Sequence, residues 1–161
     1  MSEHDARAYG PYHVGFSVPS LEESMAELTT ALGVQWRPIV NASFRFPDLD
    51  GVVTTVTQRV AYSSGPAPAI ELFEGAPGTL LEAGDRPRFH HLGYWVDHLG
   101  RRSAEIAGSD WALLRGADDE TDDIATVRAA FHEFSFGFVE IVDMPQAKMP
   151  ELLPEWYTQP R

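Results

Sequence analysis

The sequence predicts an α+β fold, with two tandem βαβββ modules whose strands make one curved mixed sheet around a cleft. Three observations predict it. The chain repeats itself: Tyr12-His13-Val14-Gly15-Phe16-Ser17-Val18 lines up with His90-His91-Leu92-Gly93-Tyr94-Trp95-Val96 at an offset of 78 residues. Each copy runs into a helical pattern and then into three segments rich in β-branched and aromatic residues. The last segment of each copy, Ala69-Ile70-Glu71-Leu72-Phe73 and Phe138-Val139-Glu140-Ile141-Val142, carries a single acid among apolar residues.

Taken in order, the strand around His13 leads into Ser20-Leu21-Glu22-Glu23, a capping box, after which Leu21, Met25, Leu28 and Leu32 recur at helical spacing until Gly33. Val34–Phe46, Val52–Tyr62 and Ala69–Phe73 follow as strands. In the second copy Asp97 or His98 caps a shorter helix, with Leu99 and Ile106 on its buried face and Gly100 and Gly108 diluting it. Trp111–Arg115, Val127–Phe136 and Phe138–Val142 are its strands. The modules are therefore expected over 10–75 and 89–144, joined by a connector over 76–88 that is rich in Gly, Pro and charge. A tail over 145–161 follows, with a short helix from Pro150 to Trp156. Asp118–Asp123 reads as a solvated hairpin loop.

Length and composition suit one soluble globular domain: 161 residues, 43% hydrophobic and 22% charged. The 24 acidic residues outnumber the 12 basic ones, and Lys148 is the single lysine. A net charge of −12 argues against nucleic acid and anionic membrane, which need a concentrated positive face. It also argues against a coenzyme A thioester or other polyanion as substrate. No cysteine is present, which excludes disulfides, thiolate nucleophiles and cysteine-based zinc sites. The first residues lack an apolar signal core, and no stretch approaches the roughly 18 apolar residues of a membrane span. The expected location is cytoplasmic.

Each module places one His near the start of its first strand and one Glu inside its last: His13, Glu71, His91 and Glu140. Strand alternation sets His13 with Gly15 and Ser17, and His91 with Gly93 and Trp95, opposite the residues that face the helices. Glu71 and Glu140 likewise point away from their aliphatic neighbours. All four converge on the inner face of a curved sheet. A carboxylate buried in a strand is costly unless paired or metal-bound, and here the cost arises at two equivalent positions. One divalent ion per site resolves it. Two imidazoles and two carboxylates suit Zn, Ni, Co, Mn or Fe.

These paired modules, strand starts and strand ends resemble the vicinal oxygen chelate superfamily, whose members include glyoxalase I, methylmalonyl-CoA epimerase, extradiol dioxygenases and metal-free bleomycin-resistance proteins. The resemblance spans Tyr12 to Asp143. It implies His13, Glu71, His91 and Glu140 as metal ligands, a set most similar to that of glyoxalase I-like proteins. It also implies a divalent-metal-dependent isomerase or lyase that binds vicinal oxygens of a small carbonyl substrate. Proton transfer through a metal-stabilised enolate would then use Glu140, or else Glu71, as base. Two alternatives stand beside this. One is an Fe(II) extradiol-type dioxygenase with His13, His91 and Glu140 as its triad; the other is a metal-free protein that sequesters an aromatic ligand.

Trp95, Phe73, Phe138, Phe131 and His132 are candidate cleft walls, favouring an apolar or aromatic substrate with vicinal oxygens. Arg45, with Arg37 and Arg59, is a candidate for holding a substrate carboxylate or phosphate. His90 is expected on the face opposite His91, as a supporting histidine, while His4 and His98 read as superficial. Trp156 and Tyr157 are placed to close over the cleft or to pack on a second subunit. Unpaired sheet edges favour a homodimer.

Overall fold

Two glycines and two histidines decide how the two halves of this chain meet. The structure, a computed structural model, describes residues 10–107, 112–116 and 127–143. Strand β1 (His13–Val18) is followed by helix α1 (Leu21–Leu32) and strands β2 (Val40–Pro47), β3 (Val53–Tyr62) and β4 (Ala69–Glu74). The second half repeats the order: β5 (Arg88–Val96), α2 (Leu99–Ala107), β6 (Ala112–Gly116), β7 (Val127–Phe134) and β8 (Gly137–Asp143). Asp118–Asp123, the tail with Trp156 and Tyr157, Trp111 and His4 lie outside the described residues.

The mixed sheet closes into a ring in the order β1-β4-β3-β2-β6-β7-β8-β5. β1 pairs in parallel with β4, and β5 in parallel with β8. The halves join where β1 runs antiparallel to β5, with His13 opposite Gly93 and Gly15 opposite His91. On the far side β2 meets β6 through Phe44↔Gly116 and Arg45↔Arg115. The edges on which the expected homodimer rests are thus paired with each other within the chain.

Helix α1 starts as its sequence dictates. Ser20 Oγ accepts from the Glu23 amide, and Gly33 ends the helix at φ 71° with its N–H on the Thr29 carbonyl. Glu74 Oε1 takes the Leu21 amide at 2.9 Å, so another of the orphan donors at this helix end is satisfied by the neighbouring strand. Leu21, Met25 and Leu28 pack with Val18, Ala61 and Leu72. Leu32, expected on the same face, is 73% exposed, because the helix's last residues have left the sheet surface. Helix α2 packs Leu99 and Ile106 against Val127, Ala130 and Ile141.

The ring's interior carries the main core. Phe44, Phe46, Val60, Phe73 and Phe131 form its main cluster, together with Ala76 and Leu81 from the connector. A segment whose composition reads as a linker therefore contributes to the core. The Asp48↔Thr79 bridge pins it, and Thr79 Oγ1 both donates to the Ala76 carbonyl and accepts from the Leu81 amide.

Candidate metal centre

The repeated His-x-Gly of β1 and β5 has a steric cause. A Cβ on Gly93 would lie 2.1 Å from His13 Cε1, and a Cβ on Gly15 would lie 2.1 Å from His91 Cε1. Each imidazole therefore lies across the glycine of the opposite module, and any side chain there would evict it. The parallel pairings place Glu71 beside Gly15 and Glu140 beside Gly93. Each glycine is thus flanked by its own module's glutamate and the other module's histidine.

The result is a cluster in which His13, Glu71, His91 and Glu140 each offer one ligand atom, all within 4.8 Å of one another. His13 Nε2 lies 2.7 Å from His91 Nε2, 3.2 Å from Glu71 Oε2 and 3.1 Å from Glu140 Oε2. His91 Nε2 is 2.9 Å from Glu71 Oε2 and 3.5 Å from Glu140 Oε2. Both histidines are buried, as is Glu71. All four come from one chain.

These residues fit a divalent cation. Four donor atoms with two carboxylate charges face one point, and Glu71 Oε2 is buried without a hydrogen-bond partner among the described residues. In the absence of a cation a proton substitutes. Burial alone would lower the pKa of His13, but Glu71 and Glu140 outweigh it and hold it up to about 9. Burial alone would raise Glu71, yet the charge and hydrogen bond of His13 outweigh it and keep Glu71 well below the usual carboxylate range.

Sequence reasoning missed two supporting residues, Tyr62 and Tyr12. Tyr62 Oη donates to Glu71 Oε1 at 2.6 Å, which leaves Oε2 for the cluster. Tyr62 is opposite Glu71 in the β3–β4 register, and that register was not readable without knowing the loop between them. Tyr12 stacks on Trp95 at 3.9 Å and edge-on to His13 at 4.3 Å. Burial first, and the nearby glutamates second, raise both phenols well above their ordinary range, so they stay protonated.

His90 is the supporting histidine the sequence expects, but its expected position on the face opposite His91 is corrected. The β1–β5 register passes from Gly15↔His91 to Phe16↔Phe89, so His90 is the extra residue of a β-bulge. The bulge turns its ring to the same side as His91, where it stacks on Phe138 at 5.0 Å and meets Phe73 at 5.1 Å. Its Nδ1 lies 2.9 Å from His91 Nδ1 and its Nε2 2.9 Å from the Leu80 carbonyl. Burial pushes its pKa down to about 4, so the ring is neutral near pH 7.

Phe73 and Phe131 lie 5.9 and 5.3 Å from the His91 ring, with Phe138 behind them against His90. Trp95 is half-buried beside Tyr12. Two candidate substrate-binding residues, one expected as a cleft wall and one as an anion holder, are placed elsewhere. His132 is opposite Val139 in the β7–β8 register, on the helix side, and its Nε2 lies 2.8 Å from Ser103 Oγ of α2. Arg45 alternates with the interior Phe44 and Phe46, which turns it to the outer surface. Arg59 is committed to Glu74 at 3.0 Å and to Glu22, and Arg37 Nε to the Ser63 carbonyl at 3.3 Å. His98 is exposed.

The sequence matches the family model described as the Glyoxalase/Bleomycin resistance protein/Dioxygenase superfamily over residues 12–131, and the chain belongs to that superfamily. A search of curated proteins finds no match. Among solved structures, the fold is similar to methylmalonyl-CoA epimerase from Mycobacterium tuberculosis, with a TM-score of 0.51 at 16% identity, covering 88% of this chain and 95% of that one. A hypothetical protein from Bacillus halodurans C-125 gives 0.50 at 17% identity, covering 84% and 94%. A variant methylmalonyl-CoA epimerase of Streptomyces coelicolor, in complex with 2-nitronate-propionyl-CoA, gives 0.50 at 14% identity, covering 85% and 98%. At these identities the likeness is one of fold. No helix among the described residues is long and apolar enough to cross a membrane.

Proposed function

We propose that the protein is a divalent-metal-dependent isomerase or lyase of the vicinal oxygen chelate type. Its substrate is a small carbonyl compound with an adjacent oxygen, and the reaction moves a proton at the carbon between or beside them. The observation that supports this most is the convergence of His13, Glu71, His91 and Glu140 within 4.8 Å in one chain, in a member of this superfamily.

Those four residues would hold the ion, which when bound supplies Lewis acidity toward the two substrate oxygens. The protein's own groups do the rest. Tyr62 ties Glu71 down through Oε1, which suits a fixed ligand. Glu140, on the opposite side of the histidines, is the base that takes the substrate proton and returns it to the same or the adjacent carbon, with Glu71 second. Phe73, Phe131, Phe138 and Trp95 give the neighbourhood an apolar, aromatic character that excludes water and favours an apolar or aromatic substrate.

The test is metal content by mass spectrometry on tag-free protein purified without chelator, beside a His13→Ala, His91→Ala double variant. About one divalent ion per chain, absent from the variant, is expected. The loaded protein is then incubated in deuterated solvent with α-oxygenated carbonyl compounds and with methylmalonyl-CoA, since two similar folds are epimerases of it. Glu140-dependent deuterium incorporation into one of them is the expected result. Oxygen uptake with ferrous iron and a catechol instead would make the protein a dioxygenase. Failure to take up any divalent metal would leave a metal-free binding protein.

A further inference from the structure

The bulge in β5 places a histidine that no ligand count requires. His90 is 5% exposed, and its ring is enclosed by Phe73, Phe131 and Phe138. Both of its nitrogens are engaged, Nε2 with the Leu80 carbonyl and Nδ1 with His91 Nδ1, each at 2.9 Å. A carbonyl oxygen only accepts, so the His90 proton sits on Nε2. Its Nδ1 is then a lone pair, and the contact with His91 forms only if His91 carries its proton on Nδ1. That leaves His91 Nε2 as an acceptor, with His13 Nε2 as its donor at 2.7 Å in the metal-free protein.

We infer that His90 is a positioning residue that, anchored by the Leu80 carbonyl, fixes the tautomer and ring orientation of His91 so that Nε2 is presented as a metal ligand. The inference rests on the metal reading above. The opposite polarity would set a His90 lone pair against the Leu80 oxygen and a His91 proton in the centre of the cluster. The connector holds the anchor in place, because Thr79 and Leu81 flanking Leu80 are buried and the Thr79 side chain bonds both Ala76 and Leu81. Supporting hydrogen bonds of this kind on a ligating histidine are worth about 10–100-fold in metal affinity. The two histidines of the site differ in this respect: His13 Nδ1 is buried with no hydrogen-bond partner among the described residues.

Two measurements test it. The first is long-range proton–nitrogen NMR on metal-free wild-type protein, which reports the His91 tautomer without any substitution; a proton on Nδ1 is expected, and a proton on Nε2 overturns the inference. The second is chelator competition for Zn with wild type, His90→Phe and His90→Asn. Phenylalanine keeps the aromatic packing and removes the acceptor, so affinity should fall about 10–100-fold. Asparagine keeps an acceptor at the Nδ1 position and should restore most of it. Equal affinity in a folded His90→Phe protein overturns the role. If the wild type takes up no divalent ion, the metal reading falls and the positioning role with it, while the tautomer still reports whether the hydrogen-bond chain exists.

Discussion

Gly93 and Gly15 are where a single carbon atom would matter most. In Gly93→Ala the new methyl would lie 2.1 Å from His13 Cε1, far inside any contact distance, so the ring must leave the cluster while the strand stays. We expect metal affinity to fall by about 10–100-fold or more, with the circular dichroism spectrum retained; unchanged affinity would mean the ring has another way to reach the site. Tyr62 makes a second prediction. Removing its hydroxyl in Tyr62→Phe leaves buried Glu71 Oε1 without the donor now at 2.6 Å. A hydrogen bond to a charged group contributes about 1.5–3 kcal/mol, and urea unfolding of the metal-free variant should show a loss of that size. A change below the scatter of such measurements would show that Glu71 finds another donor.

At the scale of elements, parity separates the site from its surroundings. Phe131 and His132 are adjacent on β7, yet Phe131 is opposite Glu140 and His132 opposite Val139, so one joins the interior and the other the helix layer. Ser103 and His132 are both fully buried, 2.8 Å apart. Ser103→Ala should therefore cost about 1–3 kcal/mol of stability and leave metal affinity unchanged within about twofold, since the layers are separate. An affinity loss would place His132 in the site's support. This also marks how far the sequence carries. The duplication, the βαβββ order and the inward parity of His13, Glu71, His91 and Glu140 are readable because each rests on local periodicity. The register of β7, the bulge at His90 and the facing of Tyr62 on Glu71 depend on pairing between distant strands, which periodicity does not encode. The core contribution of the 76–88 connector is hidden for a related reason: Gly, Pro and charge describe its turns, while Ala76 and Leu81 bury themselves among phenylalanines from other strands.

For the molecule as a whole, the site couples stability to pH and, on the metal reading proposed above, to a divalent ion. In the metal-free protein His13 is held up to about 9 against an ordinary 6.5, so its contribution is fully present below about pH 6.5 and lost as pH rises through about 9. The shift corresponds to on the order of 3 kcal/mol. Glu71 acts in the opposite sense: held well below 4.5, it contributes above that value and its contribution is lost as pH falls. The metal-free protein should therefore be most stable between roughly pH 5 and 7 and should lose thermal stability on the alkaline side. A divalent ion held between the four side chains would take the place of the His13 proton. Its binding should release protons, and its affinity should grow with pH until about 9, where no proton remains to be displaced. Because a ligand that binds only the folded state stabilises it in proportion to the logarithm of its affinity, the gain in melting temperature on metal loading should widen from mildly acidic to alkaline pH. Paired thermal melts with and without Zn across that range measure it. A gain that is flat with pH would mean that the ion does not compete with the His13 proton and binds somewhere other than between these four side chains.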